Sequence, residues 1–281
     1  MQIIDSHHHI WNPSVGDFSW MTAAHHPINR EFTCDDLVPL LKKANVKKTV
    51  LVQTWGSIEE TENFLTLAGQ TPFIAGVVGW VDFTENVTAQ IDRLMAHPDA
   101  GYLKGLRHQV HDEPNAQWLV DPRVSNGLGL LKRYGLVYDL LIRPREISAA
   151  IACVAQLPEQ KFVVDHIAKP KIADGWDKDW DEAITTLAYY RQNVWVKLSG
   201  LVTEADWDTW SVTDIAPYVQ RVIELFGSRR VMFGSDWPVC TLAADYSSTI
   251  DLIQQCISSY SKDEQAHIMA YSAIDAYDLV R

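Results

Sequence analysis

The sequence of 281 residues has no long apolar segment. It contains no run of about 18 apolar residues, the length that a membrane-spanning helix requires. Its start, MQIIDSHHH, has no basic region followed by the apolar stretch of a signal peptide. We therefore expect a cytoplasmic protein that does not bind membranes.

Cysteine and positive charge are also scarce. The four cysteines lie far apart and form no CxxC pair, which indicates reduced thiols rather than a disulfide framework. Lysine and arginine number 24 against 36 acidic residues, so the net charge is −12. Because an acidic surface repels phosphate backbones, we expect no nucleic-acid partner.

Three common catalytic and nucleotide-binding motifs are missing. The sequence has no P-loop, no GxSxG nucleophile elbow and no GxGxxG turn. Hydrophobic residues make up 47% and charged residues 21%, a composition that is typical of globular proteins and excludes a disordered chain. Length alone leaves open one large barrel domain or two smaller domains.

Short apolar and β-branched segments recur along the whole chain. They show little alternation, which is typical of strands buried on both faces. Eight such segments predict strands at 2–5, 48–53, 73–80, 102–108, 136–142, 161–166, 193–199 and 230–235.

Helical patterns separate these strands, and no Pro-, Gly- or Ser-rich linker interrupts the series. The first helix is predicted after Thr33, which can cap it, with Asp36 at the third helical position. Eight strand–helix units favour an α/β fold, a single (β/α)₈ TIM barrel over residues 1–281. A doubly wound sheet, the alternative, would need a glycine-rich phosphate turn after the first strand, where a histidine cluster stands instead. The longest interval follows the first strand and predicts a wall or lid of the site.

The segment Asp5–His9 carries the strongest chemical signal. Alternate strand residues point the same way, so His7 and His9 should share a face while His8 points away. At the carboxyl end of a barrel strand, two imidazoles can bind one metal ion or polarise one carbonyl group. The alternative, two histidines that merely fill the barrel, conflicts with the apolar side chains that barrel interiors prefer.

Two further strand ends carry candidate catalytic residues. His166 follows the sixth strand and Asp236 follows the eighth. Each alone could be a helix cap or a satisfied core group, but together with the first-strand histidines they favour one shared site. Asp5 and Asp165 precede their histidines and are expected to support them.

The fourth and seventh strands, together with the tryptophans, supply candidate substrate contacts. Arg107 keeps its charge and should face an anion or a strongly polar group; a salt bridge at the surface is the less favoured alternative. Tryptophans can stack on the C–H faces of sugar rings, or simply pack. The predicted substrate-binding residues are His108, His111, Trp11, Trp55, Trp80 and Lys197, with a structural ion pair as the alternative for Lys197; Trp20, Trp237, Gln53 and Asp82 are further candidates.

Five motifs carry a family resemblance: IDSHHHIWNP, GLRHQVHDEP, DHIAKP, VKLSGL and FGSDWPV. They extend from residue 3 to 239, and their combination resembles the amidohydrolase superfamily, in particular its branch of sugar lactonases that act on L-fuconolactone and L-rhamnonolactone. The resemblance implies a (β/α)₈ barrel and the hydrolysis of a sugar lactone to its acid.

The resemblance also implies roles for individual residues. His7, His9, His166 and Asp236 match the superfamily's metal ligands. Strand four ends in Arg107 rather than in the bridging lysine of many members, so two metal ions are not expected. One divalent ion, with zinc as the expected metal, or no ion at all, both remain open.

The resulting hypothesis assigns Asp236 as the base that takes a proton from the attacking water. The oxyanion would be stabilised by a metal ion on His7 and His9, or by those imidazoles directly, with assistance from Arg107 and His166. Two alternatives remain: a metal-dependent decarboxylase of an unsaturated acid on the same barrel, and a sugar-binding barrel without catalysis. The sequence leaves a homo-oligomer open.

Overall fold

The computed structural model describes residues 2–280. Its eight strands are all parallel and follow one another around a single sheet in chain order. The predicted barrel and all eight predicted strands are confirmed. The strands are β1 (Ile4–His8), β2 (Lys48–Val52), β3 (Ile74–Gly79), β4 (Leu103–His108), β5 (Val137–Leu140), β6 (Phe162–Val164), β7 (Val194–Leu198) and β8 (Val231–Phe233).

The barrel closes between the carboxyl ends of β1 and β8. The Trp237 carbonyl accepts a hydrogen bond of 2.7 Å from the His9 amide, and the His7 carbonyl accepts one of 2.8 Å from the Asp236 amide. These bonds extend β1 beyond its predicted end at Asp5, since pairing continues as far as His8. The closure places the first-strand histidines directly beside Asp236.

Helices surround the barrel, and the predicted capping of the first one is confirmed. The Thr33 amide donates to Asp36 Oδ2 over 2.9 Å in a capping box. The helices are α1 (Cys34–Ala44), α2 (Ile58–Gln70), α3 (Val87–Met95), α4 (Pro122–Leu128), α5 (Ile147–Gln156), α6 (Lys178–Leu187), α7 (Leu201–Glu204), α8 (Val212–Phe226), α9 (Tyr246–Cys256), α10 (Lys262–Ala266) and α11 (Ser272–Tyr277).

The C-terminal segment closes the end of the barrel at which the strands begin, which we call the lower end. A π-helical turn, His267–Tyr271, joins α10 to α11. Small and apolar side chains of this segment, including Ala273 and Ile274, pack on the apolar residues that the strands turn inward. The sequence analysis does not predict this closing segment.

Inside the barrel a charged layer lies above the apolar one. Side chains two positions apart on a strand point the same way, so each charged residue follows an inward residue by two positions. This relation links Val137 to Asp139, Val163 to Asp165, Trp195 to Lys197 and Gly105 to Arg107. The charged layer therefore lies toward the carboxyl ends of the strands, where barrel enzymes place their sites.

Two expectations from composition can be compared with the structure. All four cysteines are free thiols. Within residues 2–280, no helix combines the length and the apolar character that crossing a bilayer requires.

Candidate active site

A bulge in β1 aims its histidines at the barrel axis. The pairing register with β2 shifts between Asp5 and His8. Ile4 packs in the inner apolar layer, and the shift lets His7, three residues later, point inward as well. A β-carbon at Gly234 would lie 2.7 Å from the His7 β-carbon, so this close approach of β8 to β1 requires glycine.

His7 and His9 share a face, and His8 points away to bond Thr49. The Nε2 atoms of His7 and His9 are 3.1 Å apart. Asp236 Oδ1 lies 3.6 Å from the first of these nitrogens and 3.4 Å from the second. Ligands at about 2.0–2.1 Å from a tetrahedral zinc ion lie about 3.3 Å from one another. The His7–His9–Asp236 group therefore fits one divalent ion.

The outer nitrogen of His9 supports this fit. His9 Nδ1 lies 2.9 Å from the carbonyl oxygen of Val52, which can only accept a hydrogen bond. The proton of neutral His9 is therefore assigned to Nδ1, and Nε2 keeps its lone pair for a ligand.

A second group of ligand atoms, from His7, Asp165 and His166, does not fit a metal ion in the same way. Lys197 Nζ lies 2.9 Å from Asp165 Oδ1 and 3.1 Å from His7 Nδ1, so an ammonium group already occupies this position. His166 bonds Ser199 through Nδ1. Its predicted role as a ligand beside His9 and Asp236 therefore lacks geometric support.

Burial and hydrogen bonds set the charge states. Burial raises the pKa of Asp236, but the surrounding histidines, His166 first, outweigh it and hold that pKa well below its usual value, because these rings are protonated in the acidic range where Asp236 titrates. Burial lowers the pKa of His166 to about 4 and that of His7 well below 6.5. At neutral pH the site thus combines an ionised carboxylate with neutral imidazoles, which suits both metal ligation and base catalysis.

Arg107 lies at the floor of the cavity, almost fully buried. Its Nη1 donates to Asp165 Oδ2 over 3.0 Å, and its Nη2 donates to the Gln53 carbonyl over 2.6 Å. Gln53, predicted as a hydroxyl contact, thus holds Arg107. Arg107 Nη1 also lies 3.4 Å from His7 Nε2, so a fixed positive charge stands beside the candidate ligand atoms.

The backbone is left-handed at His166 and at Asp236, and this conformation orients both side chains. Residues 166–169 all have positive φ, and Asp236 has a φ of 57°. Such conformations cost about 1 kcal/mol or more per non-glycine residue and are found at functional sites. Gly200, with a φ of 63°, leaves room for both side chains, since a β-carbon there would lie 2.7 Å from His166 Nδ1 and 3.2 Å from Asp236 Oδ2.

Asp5 joins the first strand to the segment that follows β8. Asp5 accepts hydrogen bonds from the Ser235 amide over 2.8 Å and from the Tyr246 hydroxyl over 3.0 Å. It thereby fixes β1 against the segment after β8, on which Asp236 lies.

A cavity of about 320 Å³ opens above these residues. Of the predicted site residues, it is lined by His9, Trp11, Arg107, His111, His166 and Asp236, and Trp20 adds a further wall. The sequence analysis missed Gln109, Arg143, Lys169 and Trp207, which also line it. A signal existed for two of them, because Arg143 follows β5 closely and Lys169 belongs to the motif DHIAKP.

Lys197, predicted as a substrate contact, does not line the cavity in this structure. Lys197 has no exposed surface and bonds Asp139 and Asp165 within the charged layer, below the cavity. The ion pair that the sequence analysis kept as an alternative is the arrangement observed.

Trp55, Trp80 and His108 also lie outside the cavity wall. His108 stacks on Trp118 with ring centroids 4.3 Å apart. The Trp80 indole Nε1 donates a hydrogen bond of 3.1 Å to His108 Nδ1. Trp55 contacts Gly16 of the first loop. In this structure these side chains therefore pack around β2, β3 and β4 and do not line the cavity.

The fold and this site define a hydrolase barrel, and comparison with known proteins gives its family. Residues 4–279 match the family described as Amidohydrolase, and the chain belongs to that family. The predicted superfamily and the prediction of a hydrolase are confirmed.

The chain is similar to two proteins named L-fucono-1,5-lactonase. The one from Burkholderia ambifaria is 35% identical over 99% of this chain and 96% of its own length. The one from Burkholderia multivorans is 33% identical over 98% and 96%. A crystal structure of an amidohydrolase from Burkholderia multivorans with bound zinc covers all of both chains at 32% identity, with a TM-score of 0.93.

Proposed function

We propose that this chain hydrolyses a sugar lactone, with L-fucono-1,5-lactone as the first candidate. The observation that carries the proposal is the ionised Asp236 beside His7, His9 and Arg107 at the floor of a cavity of about 320 Å³. The relatives named L-fucono-1,5-lactonase support the choice of substrate. The finer choice of sugar and ring size is part of the proposal.

In the proposed mechanism, Asp236 takes a proton from the water that attacks the lactone carbonyl. A divalent ion held by His7, His9 and Asp236 would supply Lewis-acid polarisation of an oxygen ligand. Arg107 and His166 stabilise the negative charge that develops on the carbonyl oxygen. Asp236 then returns the proton to the ring oxygen as the ester bond breaks, which yields the acid with its new hydroxyl group.

The two sides of the cavity suit a sugar ring. Trp11, Trp20 and Trp207 line the cavity in one aromatic row, since Trp20 contacts Trp11 and His25 bridges Trp20 and Trp207. Their ring faces can pack on C–H groups. His111 and Arg143 lie on the wall built by the segments after β4 and β5, where they can bond hydroxyl groups. We propose that this division orients the lactone carbonyl toward Asp236.

The alternatives from the sequence analysis are less well supported. A sugar-binding barrel without catalysis would not need to bury an ionised carboxylate among three histidines, because that arrangement costs desolvation energy. A decarboxylase would release carbon dioxide, so it is distinguished by its product. No described residue favours it specifically.

A pH-indicator assay with a panel of aldonolactones tests the proposal. We expect acid release from L-fucono-1,5-lactone, and its loss after treatment with a chelator followed by its return with zinc. Carbon dioxide release from an unsaturated acid without lactone turnover would favour the decarboxylase. Ligand recovered unchanged would favour the binding protein.

We also make proposals about the domain organisation, the partners and the location of the protein. We propose a single catalytic domain over residues 1–281, a small-molecule sugar lactone as substrate with no nucleic-acid or membrane partner, and a cytoplasmic location. Gel filtration with light scattering measures whether the chain forms a homo-oligomer.

A further inference from the structure

A chain of buried polar contacts runs from the last helix to the site. The Tyr277 hydroxyl of α11 donates to Asp139 Oδ2 over 2.7 Å, and Lys197 Nζ donates to the same oxygen over 2.6 Å. Lys197 Nζ lies 2.9 Å from Asp165 Oδ1. Asp165 in turn bonds Arg107. We call these four contacts the Tyr277–Arg107 chain.

The charges in this chain balance within the barrel. Lys197 and Arg107 provide two positive charges, and Asp139 and Asp165 provide two negative ones. Lys197, Asp139 and Asp165 have no exposed surface. A buried charge that loses its partner is costly, so each member fixes the position of the next. Lys197 is therefore committed to its neighbours and not to a substrate.

Two members of the Tyr277–Arg107 chain, Asp165 and Lys197, lie next to His7 Nδ1. If His7 Nε2 binds a metal ion, the proton of the neutral ring is on Nδ1, which then needs an acceptor. Asp165 Oδ1 lies 3.4 Å from Nδ1. A carboxylate oxygen has two lone pairs, so the oxygen that contacts Lys197 Nζ over 2.9 Å can also accept a hydrogen bond from His7.

We propose that Lys197 is a positioning residue, anchored from below by Asp139 and Tyr277, which holds Asp165 in place to orient His7 as a metal ligand. The last helix thereby sets the geometry of the site as well as closing the barrel. This inference rests on the metal ligands assigned in the proposed function. It makes no use of substrate contacts, because none of Lys197, Asp139 and Tyr277 lines the cavity.

The test compares three variants of the full chain. Lys197→Met removes the ammonium group, and Tyr277→Phe removes only the hydroxyl that bonds Asp139. Tyr138→Phe is the matched control, since the Tyr138 hydroxyl is equally buried but has no hydrogen-bond partner among the described residues. Zinc affinity is measured by competition with a chromophoric chelator, and thermal unfolding shows which variants are folded.

We expect Lys197→Met to weaken zinc binding by about 10- to 100-fold, the usual effect of losing a group that orients a metal ligand. Tyr277→Phe should weaken it by severalfold, and Tyr138→Phe should leave it unchanged. With lactone as substrate, kcat should fall at an unchanged KM for the first two variants. A purely structural role would lower the unfolding temperature without changing the zinc affinity of the folded protein.

Three results would overturn the inference: no zinc binding by the wild-type chain, wild-type zinc affinity in folded Lys197→Met, or an equal loss in the Tyr138→Phe control. If Lys197→Met does not fold, Tyr277→Phe decides, and wild-type affinity in that variant overturns the inference. The zinc measurement needs no substrate. It therefore separates a failure of this inference from a failure of the proposed lactonase activity.

Discussion

His7 Nε2 and His9 Nε2 lie only 3.1 Å apart, although their α-carbons are two residues apart on a strand, a separation of about 6–7 Å. The rings converge because each is held at its outer side. The Val52 carbonyl holds His9, and the Asp165 and Lys197 pair flanks His7. The two nitrogens are thus already arranged as neighbouring ligands of one ion.

Removal of His9 should abolish zinc binding, whereas removal of His166 should not. His9 belongs to the group that fits one ion, and His166 lies outside it. We therefore expect His9→Ala to contain no tightly bound zinc and His166→Ala to keep about one ion per chain, while both lose lactone hydrolysis. Elemental analysis after dialysis measures this. Loss of zinc from His166→Ala would restore His166 to the ligand set.

A methyl group at Gly200 should disturb both stability and catalysis. The φ of 63° disfavours alanine, and the added carbon would lie 2.7 Å from His166 Nδ1. We expect Gly200→Ala to lower the free energy of unfolding by about 1–3 kcal/mol and to lower kcat as His166 is displaced. Denaturant unfolding and initial rates measure both. Gly101→Ala is the control, because open space surrounds Gly101.

Loss of the Trp20 ring should weaken substrate binding. Trp20 lines the cavity and is 37% exposed. An aromatic contact of about 0.5–1.5 kcal/mol corresponds to about a 2- to 13-fold rise in KM for Trp20→Ala, with kcat nearly unchanged. Trp176, which is 44% exposed and lies outside this cavity, provides the control. An equal rise in KM for Trp176→Ala would show that the effect is not local to the cavity.

Glu60 should make stability depend on pH. Burial raises its pKa from 4.5 to about 7, although the Thr54 amide and hydroxyl both donate to it. The folded chain therefore retains a proton that the unfolded chain releases, and this contribution is lost as the pH rises from about 4.5 through 7. Relative to Glu60→Gln, the wild type should lose up to about 3 kcal/mol between pH 5 and pH 8.

Denaturant unfolding at both pH values measures this difference. Glu59→Gln is the matched control. Glu59 is exposed and its pKa lies below 4.5, so it remains ionised across the whole range. A difference between the wild type and Glu60→Gln that does not change with pH would show that Glu60 is ionised throughout.

The sequence predicts the barrel well because most of its strands contain several consecutive apolar or β-branched residues, as β2 does with Thr49–Val52. It does not predict the segment that closes the lower end. Ala270, Ala273 and Ala276 of that segment are small, and they fit the barrel only once the apolar residues of the strands have been brought together. No local pattern shows that fit.

The site is predictable only in part, because some of its contacts join residues that are far apart in the sequence. His7, His9 and Asp236 stand at strand ends, so barrel closure alone brings them together. Lys197 also stands near a strand end, but its partner Asp139 is 58 residues away in sequence. Nothing local distinguishes a lysine that faces the cavity from one that is paired beneath it. The stacking of His108 on Trp118 likewise has no local signal in the sequence.

Asp236→Asn tests the central claim most directly. The variant keeps the size of the side chain and removes the base, so acid release from L-fucono-1,5-lactone should fall by about 10²- to 10⁴-fold in kcat. Zinc content and the unfolding temperature are measured on the same sample to show that the protein is folded and to record its metal. A folded Asp236→Asn protein that opens the lactone at the wild-type rate would contradict the account.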